Sequence, residues 1–236
     1  MIKRVISVLA VFALLSPLAV VQAKKKAKKK AKWEKLIHKR GIVVHRRIIE
    51  GSPLVEFRGR GTVNGSLLEI LAILADTDKY PQWVERNIGT RIIAKKSETE
   101  MIYYSSTKAP WPFQNRDFVA RFRFVADEKN GWIHLLARNT KHPKAPKKSG
   151  MTRMPFIKVR WSLKPMKPRK TWMEFRVHAD PGGNIPDWVN NLVSKNIPYK
   201  SIVNLRKRIK QGKASKKFMN QYKQWDGWGL KKKSKK

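Results

Sequence analysis

In the stretch APWPFQNRDFV, Ala109 to Val119, two prolines flank a tryptophan and an Arg–Asp pair opens a run of alternating apolar residues. Arg116 and Asp117 are the first candidates for chemistry. A guanidinium takes phosphate or carboxylate in a two-pronged grip, and a carboxylate serves as a base or a ligand. Strand alternation points neighbouring residues to opposite faces, so these two are not expected to pair with each other. Arg116 is left with two readings, a phosphate ligand or a structural bond to a loop carbonyl. The five histidines (His38, His45, His134, His142 and His178) show no close metal-ligand spacing such as HExxH. His134 and His178 fall in strand-like runs, where a hydrogen-bonded structural role is expected. With no cysteine there is no thiolate metal site, disulfide or cysteine nucleophile. The run GRGTVNG, Gly59 to Gly65, lacks dinucleotide-loop spacing and reads as a strand end plus a turn. No catalytic residue, metal or cofactor is expected, and the chain is not read as an enzyme.

The elements that position Arg116 and its neighbours form one patterned domain. GIVVHRRII and LVEFRGRGTV are rich in β-branched residues, are separated by Gly51-Ser52-Pro53, and predict a hairpin. LLEILAILADTDKYPQWV follows Asn64-Gly65-Ser66 and places Leu67, Ile70, Leu71 and Leu74 on one helical face, with Asn64 or Ser66 as N-cap and Pro81 as the stop. Six further strands are predicted: TRIIAKK, MIYYSST, DFVARFRFV, WIHLLAR, FIKVRWSL and TWMEFRVHA. Short links between sequential strands imply an antiparallel meander. IPDWVNNLVSKNIPYKSIVNLRKRI then predicts a long helix kinked at Pro198, with Trp188, Leu192, Val193, Tyr199, Ile202, Val203 and Ile209 as its apolar stripe. The class is α+β, a curved antiparallel sheet covered by the C-terminal helix.

Charge bounds the partners. The chain has 236 residues, 54 Lys+Arg, 16 Asp+Glu and a net charge of +38, so its surface attracts polyanions such as nucleic acid, acidic lipid or acidic polysaccharide. Residues 1–23 read as an export signal: Lys3 and Arg4 lead, Val5 to Val21 is apolar, and Val21-Gln22-Ala23 offers small cleavage residues. The rival is an uncleaved membrane anchor, because the seven lysines of the 24–32 Lys/Ala arm favour retention on the cytoplasmic side. Export to a periplasmic or extracellular space is the preferred reading. The domain is expected over 33–211 and a basic tail over 212–236. Trp225 and Trp228 suit either a membrane interface or a tail folded back onto the domain.

YPQWV, PWPFQNRDFV, IHLLARNT and DPGGNIPDWVNNLVSKNIPY resemble the START lipid-transfer family, especially its phosphatidylcholine-transfer branch, over roughly Trp33 to Lys210. The resemblance implies a helix-grip fold, with an antiparallel sheet wrapped round the C-terminal helix and a tunnel for one lipid. It also implies that the loop before the Arg–Asp strand and the last helix border the way in. Trp111 and Phe113 then become candidate membrane contacts, since Pro110 and Pro112 stiffen the loop and lower the cost of holding a ring outward.

Alternation places Arg116, Phe118, Ala120, Phe122 and Phe124 on the inward face, with Arg116 at the rim. By resemblance, Met101, Tyr103 and Ser105 face them from the neighbouring strand. Candidate lipid-binding residues are therefore Met101, Tyr103, Ser105, Arg116, Phe118 and Phe122 from the sheet, with Trp188, Leu192 and Val193 from the helix. The structural reading of Arg116 is preferred, because the family carries the Arg–Asp pair whatever its ligand. The branch's head-group Arg and Asp are replaced here by Tyr80 and Val84, and a choline-caging Trp by Ser105. Phe122 stands where sterol-binding members carry an Arg. A bulky apolar or anionic lipid fits these departures better than a choline lipid or a sterol. The expected function is binding of one lipid or other hydrophobic ligand, carried or sensed at anionic membranes by a monomer. The alternative is a polyanion-binding protein, with nucleic acid disfavoured by the export signal.

Overall fold

A computed structural model describes residues 32–50, 52, 54–183, 185–186, 195–226 and 228. The expected export signal, nearly all of the Lys/Ala arm, and Trp188, Leu192 and Val193 lie outside the described residues. Ten strands form one sheet in the order β1-β2-β3-β10-β9-β7-β6-β5-β4, with the short β8 alongside β6. They are β1 (Glu34–Lys39), β2 (Ile42–Ile48), β3 (Val55–Val63), β4 (Asn87–Ser97), β5 (Glu100–Thr107), β6 (Asn115–Asp127), β7 (Trp132–Asn139), β8 (Met151–Arg153), β9 (Phe156–Lys167) and β10 (Lys170–Asp180). Every pairing is antiparallel except β6 with β8.

All eight expected strands are present, and β1 and β8 are additional. β1 reads EKLIHK and is mostly exposed, so it offers neither clean alternation nor an apolar run. It is joined to β2 by Arg40 and Gly41 at φ 54° and 66°, the two left-handed positions that a tight hairpin turn needs. β8 is three residues long, below what a pattern can reveal.

Helix α1 (Leu67–Ala75) begins with a reciprocal cap, Ser66 Oγ accepting from the Glu69 amide and Glu69 accepting from the Ser66 amide. It ends before Pro81, which lies inside a following 3₁₀ helix over Thr77–Gln82. Leu67, Leu68 and Ile70 to Ala75 are all buried, so the helix is apolar on every side rather than on one face. The reason lies in the C-terminal segment. Helix α3 (Lys216–Gln221) and a turn over Lys223–Trp225 pack against α1, burying Tyr222 and Trp225. Tyr222 and Trp225 stack 5.5 Å apart and both meet Phe124 of β6. The described part of the 212–236 tail is thus folded back as part of the packed body.

The covering helix α2 spans Ile197–Lys210. Pro198 stands in the first turn of α2, where its missing N–H costs nothing; most of the expected helix before it lies outside the described residues. Ile202, Leu205 and Ile209 are buried against the sheet and α1. Close approach is permitted by Gly59 and Gly61, two residues apart on β3. A Cβ on Gly59 would lie 2.9 Å from Pro198 Cβ and 3.1 Å from Ile202 Cδ1, and one on Gly61 would lie 3.2 Å from an Arg206 guanidinium nitrogen. The Arg206 side chain in turn donates to the Thr62 and Arg40 carbonyls at 2.9 and 2.6 Å.

Candidate functional site

Between the sheet's inner face and α2 lies a cavity of about 200 Å³. Six strands wall it, five of them at period two: Tyr103, Ser105 and Thr107 from β5; Arg116, Phe118 and Phe122 from β6; Ala137 from β7; Ile157, Val159 and Trp161 from β9; and Phe175, Val177 and Ala179 from β10, with Asn87 added from the start of β4. Ile197 and Ser201 of α2 face them, and Tyr80, Trp83 and Val84 close one side. Aromatic rings set its shape. Trp161 stacks on Phe175 at 4.1 Å, and Tyr103 stands edge-on to Phe118 and Phe122 at 5.9 and 6.0 Å. Burial pushes the phenols of Tyr80 and Tyr103 above their ordinary value, so both stay neutral.

Five of the expected sheet residues line this cavity together: Tyr103, Ser105, Arg116, Phe118 and Phe122. Met101 does not reach it. It is buried in the core, but at its end of the sheet the space is filled by Phe124 with Tyr222, whose hydroxyl donates to the Glu98 carbonyl at 3.4 Å. Tyr80 and Val84, the substituted head-group positions, do line the cavity. Trp161, Phe175 and Val177 were legible in the alternation of their own strands but were not singled out. Ser201 carries a signal too, a lone polar residue in an apolar helical stripe. Asn87 carries none, since it precedes the patterned part of β4.

Arg116 is buried and lines the cavity rim, and its guanidinium is committed to the loop after β10. Nε donates to Pro181 O at 3.3 Å, one terminal nitrogen to Gly182 O at 3.2 Å, and the other to Gln114 O. This is the structural reading. Asp117 points to the opposite face, where Arg153 grips it at 2.6 and 3.1 Å. Both side chains are held by the scaffold, and of the two only Arg116 borders the cavity.

The loop from Lys108 to Gln114 forms part of the rim, Lys108, Ala109 and Pro110 lining the cavity. It is tied down: Lys108 N donates to Arg86 O, Arg86 Nε to Lys108 O, and Ala109 N to the Asn115 side chain, at 2.8, 2.7 and 3.1 Å. Trp111 stands clear at 92% exposure. Phe113 is half-buried, its ring centroid 6.0 Å from the Arg116 guanidinium. Of the two rings, Trp111 is the outward one.

A charged cluster sits on the other face of the sheet. Trp33 is bracketed by Arg58, Arg47 and Arg176 at 3.9, 4.5 and 5.6 Å. Glu174 is clamped by Arg60 at 2.6 Å and by Arg176. Burial alone would raise its carboxyl, but hydrogen bonds from Arg176 and Arg60 outweigh that and hold it below the ordinary range. His134 contacts Ser162 at 3.0 Å, a structural role as expected. His45, His134 and His178 are all lowered, by burial first and then, for His45 and His134, by nearby arginines. The sign follows: below about pH 6.5 the unfolded chain takes up protons that the folded chain refuses. Stability is therefore greatest above that pH and falls as pH drops through it toward the folded-state values. Thermal melts should show a midpoint that declines from pH 7.5 to 5.5, and a flat profile would contradict the assignment.

A curved antiparallel sheet closed by a helix over a mostly apolar, lined cavity defines a helix-grip domain. The START domain profile matches residues 18–215. The phosphatidylcholine transfer protein of Bos taurus is 31% identical over 169 residues, covering 70% of this chain and 78% of that protein. The human phosphatidylcholine transfer protein is 30% identical over 171 residues, with the same coverage of 70% and 78%. Among solved structures, the StAR-related lipid transfer protein of Xanthomonas axonopodis superposes with a TM-score of 0.68 at 30% identity, covering 76% of this chain and 99% of that one. Human StAR-related lipid transfer protein 5 gives 0.69 at 27% identity, covering 79% and 90%. The chain belongs to the START domain family.

Proposed function

We propose that the chain binds one lipid, or a similarly sized amphiphile, in the cavity and carries or senses it at anionic membrane surfaces. The carrying observation is the cavity itself, walled by residues of six strands and by α2, with an exposed Trp111 beside its rim. The family relatives named as lipid-transfer proteins support the same reading. The relatives named as lipid-transfer proteins favour a binding protein over an enzyme. The excess of cations supplies attraction to acidic bilayers, each worth about 1 kcal/mol near the surface. Export by the N-terminal segment and a monomeric state complete the proposal.

The test is direct. Purified protein, extracted with organic solvent, should release about one amphiphile per chain by mass spectrometry. Ala137→Phe, which fills the cavity from β7, should abolish that load while keeping the fold, at a cost of about 1–3 kcal/mol in stability. A second reading rests on the outer face, where Trp132 and Trp172 adjoin Arg60, Arg160, Lys164 and Arg176. Such aromatic and cationic groups suit a polyanion. Lipid-free protein that shifts DNA with a steep salt dependence would favour it.

A further inference from the structure

The cavity has a charged end and an apolar end. Among the described residues its charged lining side chains, Glu85, Arg86, Lys108 and Arg116, gather at one end: Lys108 N donates to Arg86 O at 2.8 Å, and Arg116 stands opposite Thr107, the residue before Lys108. Further along β6 the lining turns apolar and its last ring is Phe122. An amphiphile seated here keeps its charged end at the rim, because burying a charge without a partner is costly. The register shows what stops its apolar end. Phe124, Leu135, Trp161 and Phe175 stand opposite one another in a row across β6, β7, β9 and β10. Trp161 and Phe175 line the cavity, whereas Phe124 does not. Tyr222 and Trp225 lie over Phe124 instead, their ring centroids 5.0 and 5.5 Å away, and Tyr222 is fully buried. Phe124 in turn stands edge-on to Phe122 at 5.0 Å. A wall of rings therefore runs from the cavity lining to the C-terminal segment, and that segment lies beyond the residues 18–215 that the family profile covers.

We infer that the C-terminal segment is a depth stop: Tyr222 and Trp225, acting through Phe124, end the cavity and set the length of apolar chain that it accepts. The inference rests on the lipid-binding reading and adds a length limit to it. Tyr222 and Trp225 act without touching the ligand. They hold Phe124 in place and occupy the part of the sheet's inner face that a longer chain would need. While room remains, each further buried methylene raises affinity about fourfold. Once the chain meets the wall, an added methylene overpacks it and the gain turns into a loss. Preference should therefore rise with chain length and then fall sharply.

Full-length protein would be incubated with vesicles made of equal parts dimyristoleoyl-, dipalmitoleoyl-, dioleoyl- and dieicosenoylphosphatidylglycerol. The protein is then re-isolated and its lipid sorted by chain length in a mass spectrometer. The parent should favour one length. The double variant Tyr222→Leu/Trp225→Leu, which exchanges both rings for smaller side chains, should raise the next-longer lipid against that favourite by about tenfold, the order expected when one chain buries two more methylenes. Phe124→Leu should shift the distribution in the same direction by less. Val119→Ala, which trims the separate core on the sheet's other face, should leave it as in the parent. Should the double variant fail to fold, Phe124→Leu decides. A parent indifferent to length, or an unchanged distribution in the folded variants, overturns the depth stop and leaves lipid binding standing. A parent that loads no lipid at all overturns both.

Discussion

Arg153→Ala is expected to lower the thermal midpoint by roughly 10 °C, the largest loss of any single side-chain truncation proposed here. Asp117 is 1% exposed, and Arg153 grips both of its oxygens at 2.6 and 3.1 Å. Removing the arginine leaves a carboxylate buried without its counter-charge, a defect of about 3–5 kcal/mol. For a domain of this size each kcal/mol moves the midpoint by about 2–4 °C. The same arginine also donates to the Pro146 carbonyl at 2.9 Å and to the Ala145 carbonyl at 3.3 Å, so it pins the loop before β8 as well. Tyr104 is part of the cluster, its phenol pushed up to about 12 by burial and by its bond to Asp117. Arg46→Ala is the control, since its ion pair with Glu34 is exposed and worth about 0–1 kcal/mol. Equal midpoints for the two variants would refute the account of Asp117.

The second large effect concerns Trp111. Its ring makes little use of the fold, so Trp111→Ala should leave stability within about 0.5 kcal/mol. Association with anionic vesicles should suffer heavily. Burying about half of an indole, on the order of 100 Å², at about 25 cal/mol per Å² contributes about 2–3 kcal/mol. That corresponds to a loss of about 30-fold or more in vesicle affinity, with lipid transfer slowed in step. Phe113→Ala should behave differently, because that ring lies beneath Arg116 and its loss loosens the rim. Transfer by Trp111→Ala at the parent rate would remove the loop from the membrane-contact proposal.

What the sequence revealed divides along physical lines. Alternation in NRDFVARFRFV separates Arg116 from Asp117, and the structure sends them to opposite faces. The rule works because period two is set by the backbone alone. The same rule, applied to FIKVRWSL and TWMEFRVHA, would have named Trp161 and Phe175. Failures arise where tertiary packing decides. Met101 has the right parity but the wrong depth, because Tyr222 and Trp225 from a hundred residues away along the chain occupy its end of the sheet. Pro198 takes a first-turn place in α2, a position that the apolar stripe alone does not mark. The Asn87–Thr90–Ser105 cluster has no periodic signature, since its members meet only through the pairing of β4 with β5.

The sheet has two outer strands, β1 and β4, and neither is a clean template for another copy of the chain. β4 slips register against β5 three times and bears Arg91, Lys95 and Lys96; β1 slips once and carries Lys35 and Lys39. Bulged, cationic borders repel their own kind and misalign any added strand. Concentrated solutions should therefore stay free of fibrils grown by strand addition.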